Sequence, residues 1–225
     1  MSELYRNMPK KRAALFDLDG VIVDTESQYT EFWEKIGEKF FPGKTNFAEE
    51  IKGRTLVEIK HLYFSLIPNA FDTVISGIDA LEERMSYNYI PGVLNFIRIL
   101  KKHNIRMAVV TSSNHKKMTH VIAAHPELEI LFDRILMSED FKYSKPDPDC
   151  YLKAAAALKE PINRCVVFED SATGLEAGCN AKMCVVGLLT TLPRKEVEKR
   201  SDMTIKDYLQ PEVDELLLNC FGISR

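Results

Sequence analysis

Short apolar runs alternate along this chain with longer stretches in which apolar residues recur every three or four positions. The runs Arg12–Asp17, Arg106–Thr111, Arg134–Met137, Cys165–Glu169 and Met183–Gly187 are too short for helices and predict strands. Between them, Pro91–Lys102, Lys116–Ala124, Pro148–Lys159 and Thr173–Asn180 carry helical spacing. Parallel neighbours need a long crossover, usually a helix, and strands buried on both faces read as continuous apolar runs. The pattern therefore predicts an α/β fold around a parallel sheet with helices on both faces.

One connection breaks the rhythm. After the first strand come about seventy residues with no strand pattern, far more than an ordinary crossover uses. Tyr29, Phe32, Trp33, Ile36 and Phe40 repeat at helical spacing behind Thr25 and Gln28, which have the spacing of a capping box. Leu56, Ile59, Tyr63 and Ile67, then Val74, Ile78, Leu81 and Met85, continue the helical pattern. A helical subdomain over residues 26–88 is expected, inserted into a core made of residues 9–25 and 89–225. Its aromatic and aliphatic stripes read as packing surface.

Composition narrows the class of partner. The chain has 225 residues, 45% hydrophobic and 28% charged, with a formal net charge of −3, so it can build a substantial core but offers no basic field for nucleic acid. A small-molecule partner is expected. The five cysteines, at 150, 165, 179, 184 and 220, lack CxxC or metal-knuckle spacing and read as reduced, mostly buried thiols. Met1 to Lys11 carries no apolar leader core, and no stretch approaches bilayer-spanning length, so a cytoplasmic protein with no membrane partner is expected.

The chemistry concentrates where strands end. In Ala13-Ala14-Leu15-Phe16-Asp17-Leu18-Asp19-Gly20-Val21 an apolar strand finishes in two carboxylates on one side of the backbone, with a glycine to turn the chain. Like charges held that close push one pKa up, so one acid can stay ionised while its neighbour carries a proton. Ligands of open parallel sheets bind beyond the carboxyl ends of the strands, and the residues there form a set. Strand two delivers Thr111, Ser112, Ser113 and Asn114, a strand-to-helix turn suited to seating an anion such as a phosphoryl group. Lys145, ahead of Pro146-Asp147-Pro148, supplies a positive charge for a nucleophile and for phosphoryl oxygens. Glu169 and Asp170 at the end of strand four, with Asp17, make a hard oxygen site suited to Mg²⁺.

These residues resemble the haloacid dehalogenase-like hydrolases, in the branch that holds beta-phosphoglucomutase and small-molecule phosphatases. Asp17-Leu18-Asp19-Gly20-Val21 through Asp24-Thr25-Glu26 looks like the first family motif and Thr111-Ser112-Ser113 like the second. Lys145-Pro146-Asp147-Pro148 looks like the third, and Glu169-Asp170-Ser171 with Gly174 and Ala177-Gly178 like the fourth. The resemblance implies a Rossmann-like three-layer sandwich whose helical insertion is a mobile cap. It also implies that Asp17 attacks phosphorus to form an aspartyl-phosphate, while Asp19 protonates the leaving alcohol and then deprotonates water. Mg²⁺ would be held by the Asp17 carboxylate, the Asp19 backbone carbonyl and Asp170, with Glu169 reaching it through water. The resembling dehalogenases dispense with the second aspartate and the metal, which favours phosphate chemistry here.

Substrate choice is expected in the insertion. Beta-phosphoglucomutase carries a histidine on its first cap helix and an arginine soon after a Lys-Gly pair, and this chain has Tyr29 and Leu56 at those ungapped positions. Lys52-Gly53 is retained, with Arg54 beside it. Without the arginine in register a second phosphate loses a bidentate partner, so water becomes the favoured acceptor. The expected activity is therefore a Mg²⁺-dependent phosphatase for a small phosphorylated metabolite, a sugar phosphate or a relative of one. Glu26, Tyr29, Lys52 and Arg54 are the candidate substrate contacts. A phosphosugar mutase is the alternative, and a phosphometabolite-binding protein without turnover is a third reading.

Overall fold

β1 (Ala13–Phe16) lies inside a six-stranded sheet and is fully buried along its length. The structure, a computed structural model, describes residues 10–51, 56–67 and 69–224. The other strands are β2 (Val23–Asp24), β3 (Asn88–Tyr89), β4 (Arg106–Val110), β5 (Arg134–Leu136), β6 (Cys165–Glu169), β7 (Cys184–Leu188) and β8 (Met203–Ile205). The main sheet runs β5-β4-β1-β6-β7-β8 with every neighbouring pair parallel. β2 and β3 pair with each other as a two-residue antiparallel ribbon. The helices are α1 (Glu26–Phe40), α2 (Phe47–Ile51), α3 (Leu56–Ile59), α4 (Ala70–Arg84), α5 (Val93–Lys102), α6 (His115–Ala124), α7 (Glu127–Leu131), α8 (Asp149–Leu158), α9 (Ala172–Asn180), α10 (Arg194–Glu198) and α11 (Glu212–Leu216).

The chain divides into two compact units, Met1–Asp24 with Asn88–Arg225, and Thr25–Tyr87. In the first, period two along β1 feeds two separate layers. Ala13 and Leu15 join Ala108, Val110 and Val167 of the flanking strands in packing against Tyr151, Ala154, Ala155 and Leu158 of α8 and Leu175 of α9. Phe16 faces the opposite layer, stacked on Phe168 at 4.5 Å between ring centroids and edge-on to Phe96 of α5 and to Phe132. Each such fully buried Leu or Phe contributes about 1.5–3 kcal/mol through burial alone. This is the parallel, double-sided α/β core that the apolar runs predict.

The topology also places the chemistry. From β1 the chain goes on to β4 and β5 on one side, then crosses to β6 on the other side of β1 and continues to β7 and β8. The direction of winding therefore reverses at β1, and a crevice opens beyond the carboxyl ends of the strands that flank such a reversal. β8 escaped the sequence reading because its three residues stand between Asp202 and Lys206, too short a run to show a pattern. The β2–β3 ribbon, two residues a side, is shorter still.

The unit Thr25–Tyr87 is helical, with its own core of Trp33, Ile36, Phe47, Ala48, Ile51, Ile59, Phe64, Ala70 and Val74. Two expectations need correction here. Leu56 is 40% exposed, because α3 ends after one turn and gives way to a π-helical turn over Lys60–Phe64, which changes the register and buries Phe64 against Phe40 and Phe41. The Thr25–Gln28 capping box does not form. Thr25 has φ −116° and ψ −10° rather than the extended backbone that aims a cap hydroxyl at the helix, and its side chain makes no cap bond. The Gln28 amide is instead bound to Ser86, donating to its carbonyl at 2.8 Å and accepting from its N–H at 2.9 Å.

Candidate active site

Asp17 extends the β1 ladder by one step, its N–H donating to the Phe168 carbonyl at 3.0 Å. By alternation it shares the face of Leu15, the one covered by α8. Lys145, in the loop before α8, meets it there and uses all three ammonium protons. Its Nζ donates to Asp17 Oδ1 at 2.7 Å, to Glu169 Oε1 at 2.6 Å and to the Val110 carbonyl at 3.3 Å. Asp17, Lys145, Glu169 and Asp170 are all buried. Burial pushes the Asp17 carboxyl up to about 7; Lys145 opposes that rise, and Glu169 and Asp19 add to it. Burial alone would depress Lys145, but Asp17 and Glu169 outweigh it and hold the ammonium well above the ordinary lysine range.

Glu169 is saturated by its own chain. Oε1 accepts from Lys145 and from the Tyr151 hydroxyl at 2.9 Å, while Oε2 accepts the N–H groups of Asp170 and Ser171 at 2.9 and 3.0 Å and the Ser171 hydroxyl at 3.1 Å. Ser171 in turn caps α9 by accepting from the Gly174 N–H. A Cβ on residue 174 would sit 1.7 Å from Glu169 Oε1, so glycine there leaves room for the carboxylate. Gly20 serves Asp170 in the same way. Its φ is +70°, which suits glycine, and a Cβ would fall 1.9 Å from Asp170 Oδ2. The Thr191 hydroxyl donates to that oxygen, and Thr190 Oγ1, 2.7 Å from the Gly20 carbonyl, lies 3.2 Å from it.

Asp17, Glu169 and Asp170 bring carboxylate oxygens within 4.8 Å of one another. Three buried carboxylates gather here and Lys145 pairs with two of them, Asp17 and Glu169, while burial, with Glu169 and Asp19 adding to it, pushes the Asp17 carboxyl up. That donor set fits a hard divalent cation such as Mg²⁺.

Asp19 has a separate environment. Its carboxylate accepts from Lys117 Nζ at 2.7 Å on each oxygen and from the Ser113 hydroxyl at 3.0 Å on Oδ2. Lys117 is in the first turn of α6, whose N-cap Asn114 accepts the Lys117 N–H at 2.9 Å. Of the expected phosphate-binding residues, Thr111 is buried with Oγ1 accepting the Ser113 N–H at 3.0 Å, and Ser112 is exposed. His115 is exposed too, its backbone N–H donating to Glu139.

In the helical unit, the Tyr29 hydroxyl donates to Glu82 Oε1 at 2.7 Å, and Glu26 is half-buried in the first turn of α1. Lys52 and Arg54 lie outside the described residues. Four side chains of the site were missed by sequence reasoning: Lys117, Tyr151, Thr190 and Thr191. The threonines come one residue after β7, beyond Leu189, so the strand-end rule that found the others reaches them once β7 is extended to Leu188. Lys117 and Tyr151 sit inside helices, where their residue types read as an exposed cation and a core aromatic.

A model of the haloacid dehalogenase-like hydrolases matches residues 11–182. The chain is 30% identical over 187 residues to (DL)-glycerol-3-phosphatase 2 of Arabidopsis thaliana, covering 76% of this chain and 77% of that protein. It is 28% identical over 215 residues to the beta-phosphoglucomutase of Bacillus subtilis (strain 168), covering 87% and 92%. It spans 20% of the length of a further, longer curated relative, over a match of 217 residues. Among solved structures it resembles a family IA, variant 3 HAD hydrolase from Entamoeba histolytica, with a TM-score of 0.78 over 89% of this chain and 96% of that one. At 24% identity that last likeness speaks for the fold alone. Among the described residues, no helix is long and apolar enough to cross a membrane.

Proposed function

The chain belongs to the haloacid dehalogenase-like hydrolases, and from that premise we propose that it is a Mg²⁺-dependent phosphatase that hydrolyses a small phosphate ester through an aspartyl-phosphate. The observation that carries this reading is the buried Asp17–Lys145–Glu169 network at the reversal of the sheet, with a second carboxylate two residues along. In the first step an Asp17 oxygen forms a bond to phosphorus, the ester P–O bond breaks, and Asp19 gives its proton to the departing alkoxide. In the second, water attacks the aspartyl-phosphate, Asp19 takes the proton, and phosphate leaves with Asp17 restored. Lys145 keeps Asp17 in place and offsets its charge. Asp17, Asp170 and the Asp19 carbonyl would hold Mg²⁺, with Glu169, whose oxygens are already taken up by donors, outside the direct ligand set. When bound, the ion supplies charge neutralisation for an anionic nucleophile and an anionic ester.

Thr111, Ser112 and the first turn of α6 are the proposed seat of the phosphoryl oxygens. The helical unit Thr25–Tyr87 is the proposed substrate-selecting cap, with Glu26, Lys52 and Arg54 as candidate contacts. Tyr29 stands where the mutase has its histidine, and its hydroxyl is engaged with Glu82 inside its own unit, which favours water over a sugar hydroxyl as the acceptor. A cytoplasmic setting goes with a small phosphorylated metabolite, and a sugar or polyol phosphate is the proposed class.

The test is phosphate release, with Mg²⁺ and with EDTA, across sugar phosphates, polyol phosphates, nucleotides, pyrophosphate and aryl phosphates, beside an isomerisation assay on β-glucose 1-phosphate. Release that needs the metal and falls at least about 10³-fold in Asp17→Asn is expected. Wild-type turnover by purified Asp17→Asn would falsify the nucleophile assignment. Isomerisation without net release would establish the mutase, and silence in every assay a binding protein.

A further inference from the structure

Lys117 is buried to a degree that lysines reach only when paired, its side chain 4% exposed. It lies in the first turn of α6, where the helix dipole disfavours a cation, while its neighbour Lys116 is exposed. Helix propensity and solvation therefore do not explain its place, but Asp19 does. Lys117 Nζ is 2.7 Å from both carboxylate oxygens, and the Ser113 hydroxyl meets Oδ2 at 3.0 Å. Two donors, one from the β4–α6 connection and one from the first turn of α6, thus grip a carboxylate carried by the turn after β1, and they fix its plane as well as its position. We propose that Lys117, with Ser113, is a positioning residue for Asp19, orienting that carboxyl toward the leaving oxygen of the ester. This rests on the phosphatase reading above and on Asp19 as the group that protonates the leaving group.

Aryl leaving groups of different basicity test it. 4-Nitrophenolate departs readily without a proton, whereas phenolate gains from one, so misplacing the acid penalises phenyl phosphate selectively. kcat/KM on the two esters reports the first, phosphorus–ester cleavage step. Lys117→Met is expected to lose about 10²-fold on phenyl phosphate and less than about 5-fold on 4-nitrophenyl phosphate, through kcat with KM little changed. Lys117→Arg should recover most of the loss, since a guanidinium also presents two donors to a carboxylate. Ser113→Ala, which leaves no charge stranded, should shift the ratio between the esters in the same direction by about 3–10-fold. It keeps the test alive if Lys117→Met does not fold. Equal losses on both esters, or a Ser113→Ala ratio like wild type, would overturn the positioning role and leave the phosphatase reading intact. Wild-type silence on both esters and on the broader panel would overturn the phosphatase reading itself.

Discussion

Asp17 and Asp19 stand two residues apart and each accepts a lysine at 2.7 Å, yet their surroundings have little else in common. The Asp17 side chain is 11% exposed and shares its lysine with the fully buried Glu169, whereas Asp19 is 30% exposed and meets Lys117 through both its oxygens. Behind Asp17 there is a buried network in which one ammonium, Lys145, serves two carboxylates and the Val110 carbonyl, and burial makes the Asp17 charge costly. Around Asp19 solvent screens the charge, and what the protein supplies is direction. Burial turns the first corner into a matter of charge balance, and exposure leaves the second one of geometry.

The sharpest way to break that contrast is to remove each lysine in turn. Lys145→Met strands Asp17 and Glu169 in a buried site, and the metal-free variant should lose about 3–5 kcal/mol in urea unfolding at pH 8. Lys117→Met leaves Asp19 with the Ser113 hydroxyl and access to water, so its loss should be about half of that or less. Equal losses would mean that both corners are governed by burial.

The unequal surroundings also explain what the sequence could reveal. The strands were legible because β1, β4, β6 and β7 are buried almost throughout, and the order of the strand-end residues because β1, β4 and β6 pass abruptly into polar residues. Asp17, Lys145, Glu169 and Asp170 meet as those strand ends predict, since a single layer of loops has little freedom in where it brings them. Lys117 was hidden because a lysine on a helix usually lies in solvent, and Tyr151 because its ring packs in the core while only its hydroxyl reaches Glu169. In the helical unit the aromatic stripe of α1 was readable, but the π-helical turn after α3 displaced the pattern and left Leu56 outside.

A second prediction sharpens the charge balance at Asp17. Its pKa in the folded protein is about 7, above the 3.8 of an unperturbed aspartate, so the native state binds this proton more tightly than the unfolded chain. The group's contribution is full below about pH 4, is lost as pH rises toward 7, and is level beyond. Without metal, Asp17→Asn should therefore match wild type near pH 4 and be more stable at pH 8, by on the order of 2–4 kcal/mol and several degrees in Tm. Mg²⁺ should close the gap at pH 8 by stabilising wild type selectively. A gap that is the same at both pH values would mean that the native state does not hold the Asp17 proton more tightly than the unfolded chain.

The smallest effect expected in the Asp17 network is that of Tyr151→Phe. It deletes one hydroxyl from Glu169 Oε1 and keeps the ring, whose centroid lies 5.2 Å from Lys145 Nζ. Glu169 retains four donors, and Lys145 retains both its carboxylates, so the loss should be about 1–2 kcal/mol in unfolding, with turnover within about tenfold of wild type. Charge balance at this corner is unaltered by the change, which removes a neutral donor. If turnover fell a hundredfold or more while stability moved by that small amount, direction would matter at Asp17 as it does at Asp19. The division between a corner held by charge and a corner held by geometry would then give way to one continuous network through Lys145.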